Sequence, residues 1–577
     1  MNRTVDPIWS VQERDTAAEQ ALASELGAPM LLAMALVQRS ITDAESADHF
    51  LNPKIDDFHD PALLPDYELA AKEILGARER GERIFVHGDY DVDGVTAAAL
   101  LGRFLEKIGC RVDVHVPHRM KEGYGIHHRA IDDAKQRGAK LFLTCDCGIS
   151  AFDQIDAARE AGMRVVVTDH HAVGPKLPQA HAVVNPHRSD SKYPFPALSG
   201  AGVVLKLCAG LARDVGLNLD SFYGAFLDLA VLGTVADVMP LVGENRVIAS
   251  LGLKRLADSK KPGIRALLRQ SGIQEKAATG FKAHHISFGL GPRLNAAGRL
   301  DDAALSLDLL LERDETKAAT LAGQIESLNS QRRSEQDQIA EEAVTLIENE
   351  ELYRNPAIVV AREGWHHGLI GIVASRIVDQ YHRPAFVITL DRESNEARGS
   401  ARSIPGFHIA DALRELSDLA SGGGHEMAGG FSLEAKSVEA FAESLVELAR
   451  RRIPAEAFAK RIPVDAEVAP SEAGFEAALQ LRRLEPFGEG NPEPLLLVRN
   501  VEFTQIVPTR NPDHPQVMLR AEGVAPLRCP AFSLGARLSQ ESSGMRADVL
   551  VRVVVDEWRG TTQHKWHIRD YRPAETP

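Results

Sequence analysis

The stretch HGDYDVDG carries three aspartates at alternate positions, Asp89, Asp91 and Asp93, preceded by His87 and by the apolar run Ile84-Phe85-Val86. Other acidic and histidine positions follow short apolar runs in the same way: Asp146 after KLFLTC, and Asp169-His170-His171 after MRVVVT. Asp237 ends the helical stretch SFYGAFLDLAVLGTVA. A lone aspartate behind a strand ordinarily caps a helix or forms a turn. Paired histidines also recur elsewhere, at His127-His128, His284-His285 and His366-His367. What sets this block apart is the number of acidic strand ends with no lysine nearby, an arrangement that repels itself unless a cation neutralises it. Mixed aspartate and histidine ligands suit Mn²⁺ or Mg²⁺ better than zinc, and several of each suit two ions. Two divalent ions side by side are a recurrent device for in-line attack at phosphorus. A zinc site on Cys145 and Cys147 lacks a second Cys/His pair at finger spacing.

Bringing these groups together requires a sheet. Between about 68 and 250 the runs RIFVHG, RVDVHVP, KLFLTCD, MRVVVTD and AHAVVNP alternate with amphipathic helices, which predicts a parallel α/β sheet. Loops beyond the carboxyl ends of such strands share one crevice. Residues 302–350 hold no proline and a single glycine, and read as a long helical connector. A second α/β block follows with PAIVVAR, AFVITLD and the glycine-rich SGGGHEMAGG. In the tail, EPLLLVRNVEF, PQVMLRAE and ADVLVRVVVDEW alternate with proline and glycine breaks, predicting an all-β, OB-like barrel without a strong helix. The expected fold class is therefore α/β, with two α/β domains joined by a long helix and a C-terminal β domain. The expected boundaries are 1–60 for an N-terminal helical segment, 61–300 for the catalytic domain, 301–352 for the connector helix, 353–456 for the second α/β domain and 457–577 for the barrel.

Composition constrains function only loosely. At 577 residues the chain is too long for one core. Its net charge of −15 argues mildly against a general duplex binder, yet leaves room for a local phosphate-binding groove. Five cysteines fit a reducing compartment. No signal-type segment and no uncharged 18-residue run is present, so the expectation is a cytoplasmic protein.

In combination, HGDYDVDG, DCG, DHH and VADVMP resemble the DHH phosphoesterase superfamily. The length, the second glycine-rich block and the β-rich tail resemble its RecJ family of single-strand-specific 5′→3′ DNA exonucleases, over about 60–577. PHRMKEGYGIH, FGLGPRLNAAGRLDD, GSARSIPGFH and LEPFGEGNPEP belong to the same likeness. The resemblance implies two Mn²⁺ or Mg²⁺ ions. One would be held by His87, Asp91 and a bridging Asp146, the other by Asp93, Asp146, His170 and Asp237. It leaves His171 to hydrogen-bond the scissile phosphate or leaving oxygen, Asp169 to orient the ligand histidine, and Asp89 to support its loop. It also implies release of 5′-mononucleotides, a role in DNA repair and recombination, and a single-strand-binding protein and a helicase as partners of a monomeric enzyme.

An exonuclease needs a pocket for the chain end. EARGSARSIPGF, read as a loop, offers Arg398, Ser400 and Arg402; the resemblance assigns the Ser-x-Arg pair Ser400 and Arg402 to the 5′-phosphate, with Arg119 as a third partner. Gly423 and Gly424 permit close backbone approach beside His425, a candidate DNA contact, although a tight structural turn is the competing account. Arg293, Asn295 and Arg299 are candidates for lining the route to the metals, with helix capping the alternative for Asn295. In the tail, Arg510, Arg520, Arg528, Phe503 and Trp566 are candidates for gripping the strand, although aromatics in a small barrel more often form its core. Shorter DHH hydrolases of cyclic dinucleotides or short RNA, DHH pyrophosphatases and an inactive DNA-binding scaffold are the alternatives. The long tail and the filled ligand positions weigh against them.

Overall fold

The computed structural model of the chain describes residues 7–119, 121–123, 125–273, 280–558 and 561–574. Two compact units emerge, and neither is continuous in sequence. One comprises Met1–Gln12 with Ser330–Val464, the other Glu13–Asn329 with Asp465–Pro577.

The larger unit contains the expected parallel sheet. Its strands are β1 (Arg83–His87), β2 (Arg111–His115), β3 (Ala139–Thr144), β4 (Arg164–Thr168) and β5 (Ala182–Val184), in the order β2-β1-β3-β4-β5, all parallel. The apolar runs of β1, β3, β4 and β5 are buried, as strands covered by helices must be, while the edge strand β2 is only partly so. The strand order reverses between β1 and β3, the switch point outside which open α/β sheets bind ligands. Helices α1 (Val92–Lys107), α2 (Gly200–Asp214), α3 (Leu219–Ala236) and α4 (Gly243–Ala257) pack into one core with the sheet. Helix α3 is long and apolar enough to cross a membrane by length and composition, but most of it is buried in this core.

The expected 302–350 connector is two helices. A short one, Ala304–Leu311, is followed by α5 (Glu315–Asn349). The break falls where Asp314 turns its carboxylate onto the amides of Thr316 and Lys317, both at 2.9 Å, which caps the second helix. Periodicity alone does not register such a break, because the apolar spacing resumes in phase.

The smaller unit holds a five-stranded mixed sheet. Its strands β6 (Ile358–Glu363), β7 (Ala385–Asp391), β8 (Glu396–Arg402), β9 (Ser421–Gly424) and β10 (Ala428–Glu434) lie in the order β9-β10-β8-β7-β6, parallel only between β6 and β7. Here EARGSAR is a strand and not the expected loop. Alternate Ala397, Gly399 and Ala401 face inward and leave the polar residues on the other face, a period-2 pattern disguised by the small size of the apolar members.

The tail, in the larger unit, forms β11 (Leu496–Val507), β12 (Gln516–Ala521), β13 (Val524–Pro530), β14 (Met545–Trp558) and β15 (Thr561–Pro573), ordered β13-β12-β11-β14-β15, with Ala466–Glu467 added to β11. A bridge from Ala531 to Ile568 links the two ends of this sheet and curls it into a barrel. Phe503 and Trp566 are fully buried in its core, where the Trp566 indole donates to Ala473 O at 2.7 Å. The N-terminal helices Thr16–Leu26, Met30–Val37 and Ala44–Leu51 share this core. The tail also contains a helix that the sequence reading lacked, Phe475–Arg482.

Candidate metal centre

The strand-end residues meet at the switch point. Asp91 caps α1, its Oδ1 accepting from Gly94 N at 3.0 Å, the ordinary task of an aspartate behind a strand. Asp93, in the helix's first turn, points across to α2 and accepts from Gly200 N at 2.6 Å and Ala201 N at 2.9 Å. The amino end of α2 thus fixes this buried carboxylate, with the His170 ring as its nearby positive influence. Asp146 follows β3 in a left-handed conformation, φ +63°. Its side chain packs so closely on Gly200 that a Cβ there would lie 2.5 Å from the Asp146 Cβ.

Three groups of ligand-type atoms result: Asp89, Asp91 and Asp146; Asp146, His170 and His171; and Asp93, His170 and Asp237, each within 4.8 Å of one another. His170 Nε2 lies 3.1 Å from Asp146 Oδ1, 3.7 Å from Asp237 Oδ2 and 3.8 Å from Asp93 Oδ2. Asp169 organises the DHH turn. Its Oδ1 accepts from His170 N at 2.7 Å, His171 N at 3.0 Å and His171 Nδ1 at 2.8 Å, and its Oδ2 accepts from Ile149 N at 2.9 Å.

The electrostatics are those of a site built around missing positive charge. Burial, then the charges of Asp93 and Asp91, push Asp146 well above the carboxylate range. Burial followed by Asp91 does the same to Asp89. Asp93 rises through burial, and Asp237 rises to about 8 through burial and then Asp93 and Asp91. His171 moves the other way from an ordinary buried histidine. Desolvation would lower it, but the hydrogen bond and charge of Asp169, aided by Asp237 and Asp91, hold it at about 9. Asp89 Oδ1 and Asp146 Oδ1 are buried and accept no hydrogen bond. Orphaned carboxylate oxygens in a cluster of acids are the donor set a hard divalent cation takes, so the residues present fit such ions.

Five of the six expected ligands therefore come together, and Asp89 joins them. Asp89 takes backbone hydrogen bonds from Tyr90 and Gly125, in keeping with support of its loop, and also stands among the ligand-type groups with Oδ1 unpartnered. His87 belongs to none of these groups. Its ring lies between His115 and Phe142, with Nε2 3.3 Å from Gly125 O. A carbonyl cannot donate, so Nε2 carries the proton and the buried, unpartnered Nδ1 keeps its lone pair. Burial, then His115, lowers its pKa to about 3 and keeps it neutral.

Around the cluster, Arg119 sits 4.8 Å over the ring of Tyr90, between Asp89 and Asp91, and the charge of Arg299 also acts on that tyrosine. Tyr90 was not singled out in the sequence; its place between two alternating acids was the available signal. Arg293 is committed elsewhere, donating to Glu326 at 2.5 Å and to Gly289 O at 2.8 Å. Asn295 lies inside the helix Gly291–Leu300 and caps nothing.

In the smaller unit, Arg398, Ser400 and Arg402 share one face of β8, and Arg402 Nη1 donates to Ala401 O at 2.8 Å and Ser400 Oγ at 3.4 Å. Gly423 and Gly424 lie on β9 beside the turn that carries His425, whose amide donates to Ala428 O at 2.8 Å.

The family comparisons follow this geometry. The DHH family N-terminal domain profile matches residues 83–234, the DHHA1 domain 355–451 and the RecJ OB domain 464–570. The chain is 36% identical to the single-stranded-DNA-specific exonuclease RecJ of Bacillus subtilis, over 98% of this chain and 71% of that one. It is 35% identical to RecJ of Escherichia coli, over 86% and 88%. The chain belongs to the RecJ family. A crystal structure of Thermus thermophilus RecJ in complex with Mn²⁺ superposes with a TM-score of 0.83 at 28% identity, covering 99% of this chain and 80% of that one. The family match extends across both α/β blocks and the barrel.

Proposed function

We infer that this protein is a metal-dependent, single-stranded-DNA-specific 5′→3′ exonuclease that releases 5′-mononucleotides. The observation that carries the reading is the buried cluster of Asp89, Asp91, Asp93, Asp146, His170 and Asp237 at the switch point of a RecJ-family sheet. RecJ of Thermus thermophilus has been crystallised with Mn²⁺ and with Mg²⁺, which supports the same ions here. Asp91, Asp89 and His87 would hold one ion and Asp93, His170 and Asp237 the other, with Asp146 available to both. Bound there, the ions supply charge neutralisation and water activation for in-line displacement at phosphorus.

The protein's own residues set the remaining terms. Asp169 fixes the DHH turn and keeps His171 protonated, so that His171 donates a hydrogen bond to the phosphate and a proton to the departing 3′-oxygen. Ser400 and Arg402 bind the 5′-terminal phosphate, with Arg119 as a further partner. Arg299, Asn295, Gly423, Gly424 and His425 contact the strand. Arg293, paired with Glu326, serves to hold its helix. The chain divides at about 60, 300, 352 and 456 into helical, catalytic, connector, DHH-associated and barrel segments. It acts as a cytoplasmic monomer in DNA repair and recombination, alongside a single-strand-binding protein and a helicase.

The test is Mn²⁺-dependent release of mononucleotides from labelled single strands whose 5′ and 3′ ends are blocked in turn. A 5′ block stops release and a 3′ block does not. Activity confined to two- to five-nucleotide substrates would instead indicate a short-RNA hydrolase.

A further inference from the structure

The segment LEPFGEGNPEP has no task in the chemistry described so far, yet it lies directly behind a metal-ligand candidate. Gly488 N donates to Asn491 O at 3.0 Å and Asn491 N returns to Gly488 O at 3.2 Å, closing a tight turn through Glu489 and Gly490. Gly490 has φ +67°, a conformation that favours glycine. This turn sits on the residues that follow Asp237. Leu241 N donates to Glu489 O at 2.7 Å. A Cβ on Gly490 would lie 2.9 Å from the Pro240 Cβ, and one on Gly488 would lie 2.7 Å from Leu241 Cδ1. A second hold comes from α4, where Asn245 Nδ2 donates to Pro240 O at 3.1 Å.

Between Asp237 and this hold stands Val238, a β-branched residue at φ +57°. Such a residue in the left-handed region is strained and persists only where its surroundings over-determine it. The hairpin that supplies the constraint is itself firmly anchored. Asn491 is fully buried; its Nδ2 donates to Leu484 O at 2.8 Å and Pro486 O at 2.9 Å, and its Oδ1 accepts from Arg39 Nε at 2.7 Å. The buried Arg246 of α4 donates to Phe50 O, Leu484 O and Glu485 O. One polar network therefore ties the barrel's leading segment, the N-terminal helices and α4 to the turn after Asp237.

We propose that the Gly488–Asn491 hairpin is a positioning element for Asp237, holding Pro240 and Leu241 so that the strained Val238 turn keeps the carboxylate aimed at Asp93 and His170. The proposal rests on reading Asp237 as a metal ligand. It makes the barrel segment part of the metal centre's support as well as a candidate grip on the strand.

The experiment compares Gly490→Ala, Asn491→Ala, Asp237→Asn and Phe503→Leu in this chain. It combines Mn²⁺ titration, read by the electron paramagnetic resonance of the free ion, with thermal denaturation in the absence of metal. Gly490→Ala and Asn491→Ala weaken one of two Mn²⁺ sites by about 10–100-fold, the range for a residue that orients a ligand, and spare the other. In an Asp237→Asn background, Gly490→Ala causes no additional loss. Phe503→Leu, in the barrel core, lowers the thermal midpoint and leaves both affinities intact. The proposal is overturned if both hairpin variants lower the midpoint with unchanged affinities, or if Phe503→Leu weakens Mn²⁺ binding as much as Gly490→Ala does. If Asp237→Asn alone binds Mn²⁺ normally, the ligand assignment fails first, and the positioning role with it.

Discussion

The acidic cluster of the larger unit and the polar face of β8 in the smaller one hold their polar groups in opposite ways. In the first, buried carboxylates crowd together, their pKa values driven up and two of their oxygens orphaned. In the second, Arg402 already donates to Ser400 and to its own backbone, and strand pairing on both sides fixes the face. The first arrangement is costly until a cation arrives; the second is at rest without its ligand. Stability and metal should therefore be coupled at one site and independent at the other.

The strongest way to break that contrast is Asp146→Asn. Because burial and the neighbouring acids push Asp146 toward its neutral form in the metal-free protein, the near-isosteric amide leaves apo stability nearly unchanged. Nuclease activity should fall by more than about 100-fold, the upper end for residues that only orient ligands. The stabilisation that Mn²⁺ gives, about 2.7 kcal/mol at a concentration one hundred times the Kd, should disappear from melts of the variant. An unaltered Mn²⁺-induced rise in Tm would remove Asp146 from the site.

Next in size is the effect of Arg402→Ala. Losing a charge-assisted contact worth about 1.5–3 kcal/mol raises KM for 5′-phosphorylated strands by roughly 10–100-fold. Tm and Mn²⁺ affinity stay put. Arg402→Lys recovers only part, because an ammonium lacks the guanidinium fork. Equal losses on 5′-hydroxyl strands would argue against a terminal-phosphate role.

A smaller effect concerns pH. Asp237, with a pKa near 8 in the metal-free protein, is protonated below that pH and must lose its proton to ligate. Mn²⁺ affinity should therefore climb by up to about tenfold per pH unit per released proton below 8, with Asp237 supplying one of those protons. Calorimetry in buffers of different ionisation enthalpy measures the released protons directly. A flat profile between pH 6.5 and 8.5 would contradict it.

The least effect on activity belongs to Arg293→Met. Breaking its pair with Glu326 costs stability, about 3 kcal/mol at most for so partly shielded a partner, and leaves KM and Mn²⁺ binding unchanged. A raised KM at unchanged Tm would return Arg293 to the strand-binding residues.

Sequence alone was enough for most of the elements and for the metal chemistry. Period-2 and period-3.6 patterns gave the strands and helices, and acids behind successive strands implied a cation site before any coordinates. The fold class, two α/β domains with a β-rich tail, was equally legible, since continuous apolar runs are what a sheet covered on both faces requires. Where patterning was masked, the reading went astray: the small apolar residues of EARGSAR hid a strand, and the in-phase break at Asp314 hid a helix boundary. Only the tertiary structure decided which of the three alternating acids joins which group, because side-chain direction depends on a helix that begins within the motif. It alone placed Asp89 among the ligand-type groups, committed Arg293 to Glu326 and buried Phe503 and Trp566. It alone brought LEPFGEGNPEP, some 250 residues away in sequence, against the turn that carries Asp237. The physical reason is general: local propensity and periodicity report short-range preferences, whereas a site is assembled from long-range contacts that no local pattern encodes.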